Sequence, residues 1–380
     1  MSSERALFDV PPDVTYLNAA SLAPRLSAVS RAGADAVRTF ASPWLVGNEE
    51  WFGAPERLRA LAAEIMHADA DGVAIVPAVS YGIAVAAANV VVARGQSIVV
   101  LEHQFPSNVY AWRDLARARG AHLVTVGRSA SGMWTDAILE AIDADTAVVA
   151  VPNCHWTDGS LIDLARVSAR TRSVGAQLVV DASQSLGAYP IDVAAIQPDF
   201  LVSVGYKWLL GPLGLGYLYV AERWRTAGVP LERSWLTRAG SENFGSLIDY
   251  TDEYRSGARR FDMGEFPQFI LLPMARAGLE QILSWGVDRI QHSLATLTQR
   301  LAGRARERGY VVTDDAGRVG HMVGLRRPSG IPSSLGPALA REKVYVSIRG
   351  DAIRVAPHLH NDGDDIDRLV ACLDRAMPAR

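Results

Sequence analysis

The sequence predicts an α/β chain: a large domain with a seven-stranded, mainly parallel sheet, and a smaller α+β domain. Three observations carry this expectation. Seven short apolar, β-branched runs precede residue 221, each of strand length and bounded by Gly, Pro or polar residues. Helical patterns fall between several of them, and near-continuous apolar strands alternating with helices belong to a parallel sheet covered on both faces. After about residue 265 the texture changes to long helices, short strands and a closing helix.

The elements follow in order. Strands are expected at 73–76, 97–102, 122–126, 146–152, 177–183, 199–204 and 214–220. Helices are expected at 108–119, stopped by Gly120, and at 162–174, stopped by Gly175. Two long helices, 267–285 and 287–308, are split by Gly286, and Gly309 stops the second. The runs YVVTD, HMVGLRR, KVYVSIRG and AIRVAPHL then read as strands, and 364–377 as the last helix. This places 16–264 in the large domain and 1–15 with 265–380 in the small one. No internal repeat, low-complexity tract or long linker interrupts the pattern.

Composition narrows the function classes. The 380 residues carry a net charge of −3, with 49% hydrophobic and 21% charged residues, an ordinary globular balance. No basic surplus points to nucleic acid or to an anionic membrane. The longest apolar runs are about ten residues, too short to span a bilayer. The first residues show no basic segment followed by an apolar one, and two cysteines do not make a disulfide framework. A cytoplasmic location is expected. The 38 basic residues comprise 36 Arg and 2 Lys, Lys207 and Lys343. Arginine stays protonated near neutral pH, so amine chemistry falls to one of these two lysines.

The densest stretch runs over 179–220. Asp181 ends one strand, Gln184 lies three residues on, and Lys207 follows the next strand. Ligands of such sheets bind at the carboxyl ends of strands, so two strand ends aim an acid and an amine into one crevice. That pairing suits pyridoxal phosphate: the amine forms a Schiff base, and the acid keeps the pyridine nitrogen protonated.

On the D-x-x-Q at 181–184 and the later GYKWLLGP at 205–212, the chain resembles the class V aminotransferase family of fold type I pyridoxal-phosphate enzymes. That group includes cysteine desulfurases, selenocysteine lyase, kynureninase and isopenicillin N epimerase-like proteins. The resemblance covers almost the whole chain and implies the PLP-dependent transferase fold type I. It implies Lys207 as the Schiff-base lysine, Asp181 as the pyridinium partner, and Gln184 near the cofactor's phenolic oxygen. It implies that Tyr206 contacts the phosphate. In PAVSYGI (77–83), backbone N–H groups at Val79 and Ser80 and the Ser80 hydroxyl would hold the phosphate at a helix start. The family often has two threonines there, so Val79 leaves one hydroxyl missing.

The same resemblance makes Phe105, in HQFPSNVYAW, the residue stacked on the cofactor ring. It puts Asn153, in PNCHWTDG, near cofactor and substrate. Arg354, in IRVAPHLHN, matches the arginine that binds the substrate α-carboxylate, a task suited to a bidentate guanidinium. The resemblance also implies that Asn18 and Ala19, in YLNAAS (16–21), border the substrate. A homodimer is implied, in which two subunits complete each site. The inter-subunit phosphate stretch reads RRFDMGEFPQF (259–269), with Glu265 at the threonine position, where a carboxylate beside a phosphate is unfavourable.

Other readings stand beside these. Taken singly, Asp181 also suits a helix N-cap, Phe105 a core position, Asn153 a turn and Arg354 a structural ion pair. His155 and Trp156 suit an active-site pair or a packed turn. GPLGLG (211–216) lacks the position and spacing of a nucleotide loop and reads as turns and a strand start. No H-E-x-x-H occurs, and His358 and His360 lack partners at metal spacing, so no metal is expected. Lys343 reads as a surface charge.

The implied activity is that of a pyridoxal-phosphate enzyme acting on a small α-amino acid. Class V aminotransferase or Cβ-lyase chemistry without a catalytic cysteine is the leading expectation. Cys372 falls in the apolar register of the last helix, and Cys154 follows a strand of the large domain. Neither stands at the family's cysteine position, which weakens persulfide-forming desulfuration. An isopenicillin N epimerase-like racemase or epimerase stays open, as does a non-catalytic binding module of this fold.

Overall fold

The computed structural model describes residues 3–129 and 132–377. The large sheet is built from β1 (Val73–Val76), β2 (Ser97–Leu101), β3 (His122–Val126), β4 (Thr146–Pro152), β5 (Gln177–Asp181), β6 (Phe200–Val204) and β7 (Gly216–Val220). Helices α1 (Val79–Asn89), α2 (Tyr110–Arg119), α3 (Trp134–Ala141) and α4 (Leu164–Ser173) alternate with the first five strands. The spatial order is β1-β7-β6-β5-β4-β2-β3. Strand β7 runs antiparallel to β1 and β6, and the other pairs are parallel.

Alternation along the strands divides two cores. Ile75, Val99, Val149, Val180 and Leu201 face one layer of helices. Ala74, Ile98, Val148, Val179 and Val202 face the other. Both sets are buried, which is why these strands read as unbroken apolar runs.

The C-terminal part contains α5 (Leu271–Trp285), α6 (Val287–Arg306), β8 (Val323–Arg326), β9 (Ser347–Arg349), β10 (Ala352–Val355) and α7 (Gly363–Ala376). Its small antiparallel sheet has the order β9-β10-β8. A third core lies here, with Leu17, Leu301, Val323, Ile353, Ile366 and Leu373. Helix α5 packs on helices Ser27–Thr39 and Ala54–Ile65, and its Leu272, Ala275, Leu279 and Ile282 join the first core.

Several element boundaries differ from the pattern reading, each for a physical reason. Helix α2 starts at Tyr110 because Pro106 opens a 3-10 turn, Pro106–Asn108, ahead of it. It ends at Gly120 in the left-handed region, φ +64°. Helix α5 starts at Leu271, which puts Pro273 in its first turn; a start at 267 would have placed that proline in the interior. YVVTD forms only an isolated bridge, Val311 to Arg326, before the chain turns at Asp315–Gly317. KVYVSIRG splits: Val344–Tyr345 pairs in parallel with Thr15–Tyr16, and β9 pairs with β10.

This frame sets the site. Strands β4, β5 and β6 end on the same edge, with Pro152 beside Asp181 and Asp181 beside Val202. The N-terminal segment crosses to the C-terminal part through Ala19 N–H to Ala356 O at 2.9 Å and Leu17 N–H to Tyr345 O at 2.9 Å. Among the described residues no helix is long and apolar enough to cross a membrane.

Candidate active site

A cavity of about 320 Å³ opens at the carboxyl edge of the sheet. Its wall includes Val79, Ser80, Phe105, Asp181, Gln184, Tyr206 and Lys207, so most of the residues singled out in the sequence converge there.

Lys207 follows β6 across Gly205 and Tyr206. A Cβ on Gly205 would meet the Leu215 carbonyl oxygen at 3.0 Å, so the loop carrying the lysine needs glycine there to fold back. The Lys207 side chain is buried, with Nζ 5.4 Å from the centre of the Phe105 ring and 5.9 Å from that of Tyr206. Burial pushes its amine down to about 8; Asp181 opposes the shift, and Arg354 and Arg349 add to it. Lys343, in contrast, is exposed and paired with Asp13.

Asp181 is buried at the end of β5 and accepts the Ser183 N–H at 3.0 Å, an Asx turn rather than a helix cap. Burial pushes its carboxyl above the usual range, against the pull of Ser183 and Lys207. Gln184 is held at both ends of its amide. Its Nε2 donates to Ala20 O at 3.0 Å, and its Oε1 accepts from Trp208 Nε1 at 3.1 Å. One amide N–H is left for a ligand.

Helix α1 begins after Ala78 with no side-chain cap. Its first N–H groups, at the positive end of the helix dipole, therefore suit an anion. Ser80 is exposed on the wall and Val79 is buried. Phe105 stands 39% exposed at the cavity, with the Trp156 ring edge-on at 5.5 Å and 81°. Tyr206 is half-buried, and burial pushes its phenol up.

Four predicted residues, Arg354, Asn18, Ala19 and Asn153, are not part of the cavity wall. Arg354, on β10, is buried and donates from Nη1 to Trp156 O at 2.9 Å and from Nη2 to Asn18 Oδ1 at 3.4 Å. Asn18 Oδ1 also accepts from Ser347 Oγ at 2.8 Å. The Arg354 Nε is buried without a partner, and among the described residues no carboxylate lies within 4.0 Å of the guanidinium. Burial, with the charge of Arg349 added, pushes this guanidinium down to about 10. Ala19 is fully buried in the first core and takes part through its backbone. Asn153 lies between the wall residues Pro152 and Cys154, with its own Oδ1 buried and unpaired.

Tertiary structure adds residues that the sequence left undecided or unmarked. Trp156 lines the cavity and its indole N–H donates to His103 O at 2.7 Å. His155 belongs to the packed turn: it stacks on Trp134 at 4.8 Å, donates to Glu102 O at 3.2 Å and accepts from the Thr157 hydroxyl at 2.7 Å. Burial pushes its imidazole down to about 4. Trp208, next to the lysine, holds Gln184, and His321 donates to the Gln184 carbonyl at 2.6 Å. The adjacency of Trp208 to Lys207 is the one sequence signal that could have marked it. Cys154 lines the cavity, but burial pushes its thiol up, and Cys372 lies on the buried face of α7.

An acid and an amine at neighbouring strand ends, facing an uncapped helix start, define the class: an enzyme of fold type I. The apo cysteine desulfurase of Thermococcus onnurineus NA1 shares this fold, with a TM-score of 0.86 at 19% identity over 99% of this chain and 98% of that one. The chain belongs to the class V aminotransferase family, whose model matches residues 48–361. It is 29% identical over 371 residues to the uncharacterized aminotransferase YcbU of Bacillus subtilis (strain 168), covering 96% of this chain and 95% of that protein. It is 28% identical over 293 residues to a kynureninase of Deinococcus radiodurans, covering 74% and 68%. With that membership come enzymatic activity and its cofactor, pyridoxal 5'-phosphate. The residues present fit this group: the uncapped start of α1 for a phosphate, the buried Asp181 for a ring nitrogen, and the buried Lys207 amine for an aldehyde.

Proposed function

We propose that the protein acts on a small α-amino acid, by transamination or by Cβ-lyase chemistry without a cysteine nucleophile. The observation that carries this reading is Arg354: a buried guanidinium with an unpaired Nε and, among the described residues, no carboxylate partner, close enough to Lys207 to depress its pKa. A buried charge calls for a partner, and a substrate α-carboxylate supplies one.

The residues divide the work as follows. The first N–H groups of α1 and the Ser80 hydroxyl would hold the cofactor phosphate, with Tyr206 as a further partner. Phe105 would cover the ring, Asp181 would hold a proton at the ring nitrogen, and the free N–H of Gln184 would be available to the phenolic oxygen. The bound cofactor supplies an electron sink for the pair left at Cα. Arg354 and Asn18 orient the α-carboxylate. The Lys207 amine, made less basic by burial, would take the α-proton at Nζ; in transamination it would hand that proton on to a carbon, and in the lyase route it would give it to the group that leaves Cβ with the electron pair of the broken bond. Both cysteines are buried, which supports a route needing neither thiol. Exposed apolar side chains such as Trp44, Ile248 and Tyr250 support the homodimer, and a cytoplasmic location belongs to the same reading.

An amino-acid screen with product analysis tests the reaction. A keto acid formed in step with cofactor conversion indicates transamination; pyruvate or alanine with a released fragment indicates a lyase. Recovery of the inverted amino acid alone would overturn both in favour of epimerisation. Arg354→Leu should raise KM for every amino acid tested by about tenfold to a hundredfold, the worth of a charge-assisted hydrogen bond. An unchanged KM refutes the carboxylate role.

A further inference from the structure

A second cavity, of about 910 Å³, adjoins the first and shares Gln104 and Trp156 with it. Three arginines line it, and two have carboxylate partners: Arg128 pairs with Asp158, and Arg326 with Asp158 and Asp351. Arg349 has none within 4.0 Å among the described residues. Among the described residues its one hydrogen bond goes to the neighbouring Ile348 carbonyl, at 3.1 Å. The remaining acid of the wall, Glu102, sits at the exposed rim beside His103, with 3.8 Å between Oε1 and Nε2.

The register relates this arginine to the one already described. In the β9–β10 pair, Ser347 faces Arg354 and Arg349 faces Ala352. Residues directly opposite share a face, so Arg349 and Arg354 stand on the same face of the sheet as diagonal neighbours. Both touch Trp156: Arg354 donates to its carbonyl, and the Arg349 guanidinium carbon lies 5.9 Å from its ring centre. The indole between the two cavities is itself anchored on His103. Two guanidiniums thus flank one fixed residue, the first buried, the second on the wall of the larger space.

We propose that Arg349 binds a second anionic group at the end of the substrate side chain, so that the site prefers α-amino acids with an acidic side chain. This rests on the reading of Arg354 as the holder of the α-carboxylate.

The holoenzyme tests it through kcat/KM for glutamate and aspartate against norvaline and alanine. The native protein should favour the acidic pair. Arg349→Leu should cut the acidic-to-neutral ratio by about tenfold to a hundredfold, and Arg349→Lys should recover part of it. A binding readout needs no turnover: glutarate should perturb the cofactor absorbance at lower concentration than butyrate, and Arg349→Leu should remove that advantage. A native preference for neutral substrates overturns the proposal, as does an Arg349→Leu loss equal for all substrates. Arg354→Leu separates the two readings, because it should weaken acidic and neutral amino acids alike; if it weakens neither, the α-carboxylate assignment falls while the acidic preference is judged by Arg349 alone.

Discussion

Lys207→Ala is expected to lower turnover by about 10²–10⁴-fold, the typical worth of a positioned general base, and to abolish covalent retention of the cofactor. Reduction of the native holoenzyme with borohydride followed by peptide mapping should place the whole adduct on Lys207. The chain has one other lysine, Lys343, and that amine is exposed and ion-paired with Asp13. An adduct mapped to Lys343, or retained in the variant, would sink the assignment. The pH dependence offers a second view of the same amine. Burial lowers the Lys207 pKa to about 8, so its charged form is lost as pH rises through that value. At pH 7 about a tenth of the amine is neutral, against about one part in three thousand for an ordinary lysine. Capture of pyridoxal phosphate by the cofactor-free protein should therefore quicken with pH and level off above about pH 8. A rise that continues to about pH 10.5 would show an amine that the fold does not perturb.

Asp181→Asn is expected to cost about 10²–10³-fold in kcat, comparable to losing one preorganised electrostatic contact in a water-poor site. The substitution keeps shape and the turn to Ser183, whose N–H donates to Oδ1 at 3.0 Å. What it removes is the charge that we propose holds a proton on the ring nitrogen. The loss should therefore appear in kcat with the cofactor still bound, measured by absorbance and by retention through gel filtration. A variant that releases its cofactor but turns over normally when resupplied would assign Asp181 to binding alone.

The large sheet was legible because its strands are buried on both faces. VAIV, TAVVAVP and QLVVD need no partner to be recognised: doubly buried strands are apolar throughout, and every residue of these three is buried. Asp181 and Lys207 were legible for a chemical reason, since a polar residue at the end of an apolar strand stands out and no arginine can replace the amine. The scarcity of lysine left little room for a competing choice. Helix ends were less legible. Pro106 and Pro273 reset the starts of α2 and α5, which periodicity alone does not register.

The parts of the site that depend on chain crossing were decided by the tertiary structure. Arg354 and Asn18 are 336 positions apart and meet only because the N-terminal segment pairs with the strand region around Ala356. That Arg354 lacks a carboxylate partner among the described residues is a property of its surroundings, and so is the difference between it and Arg326, which lies on the neighbouring strand β8 and is neutralised by Asp158 and Asp351. The choice between packed turn and site for His155 and Trp156 came the same way, one ring stacking inward on Trp134 and the next facing Phe105. The sequence by itself determined the doubly wound sheet and the acid and amine at its edge, since burial pattern and residue chemistry are local. Packing of distant segments decided which arginines stay unpaired, because whether a charge finds a partner depends on what the fold brings within a few ångströms of it.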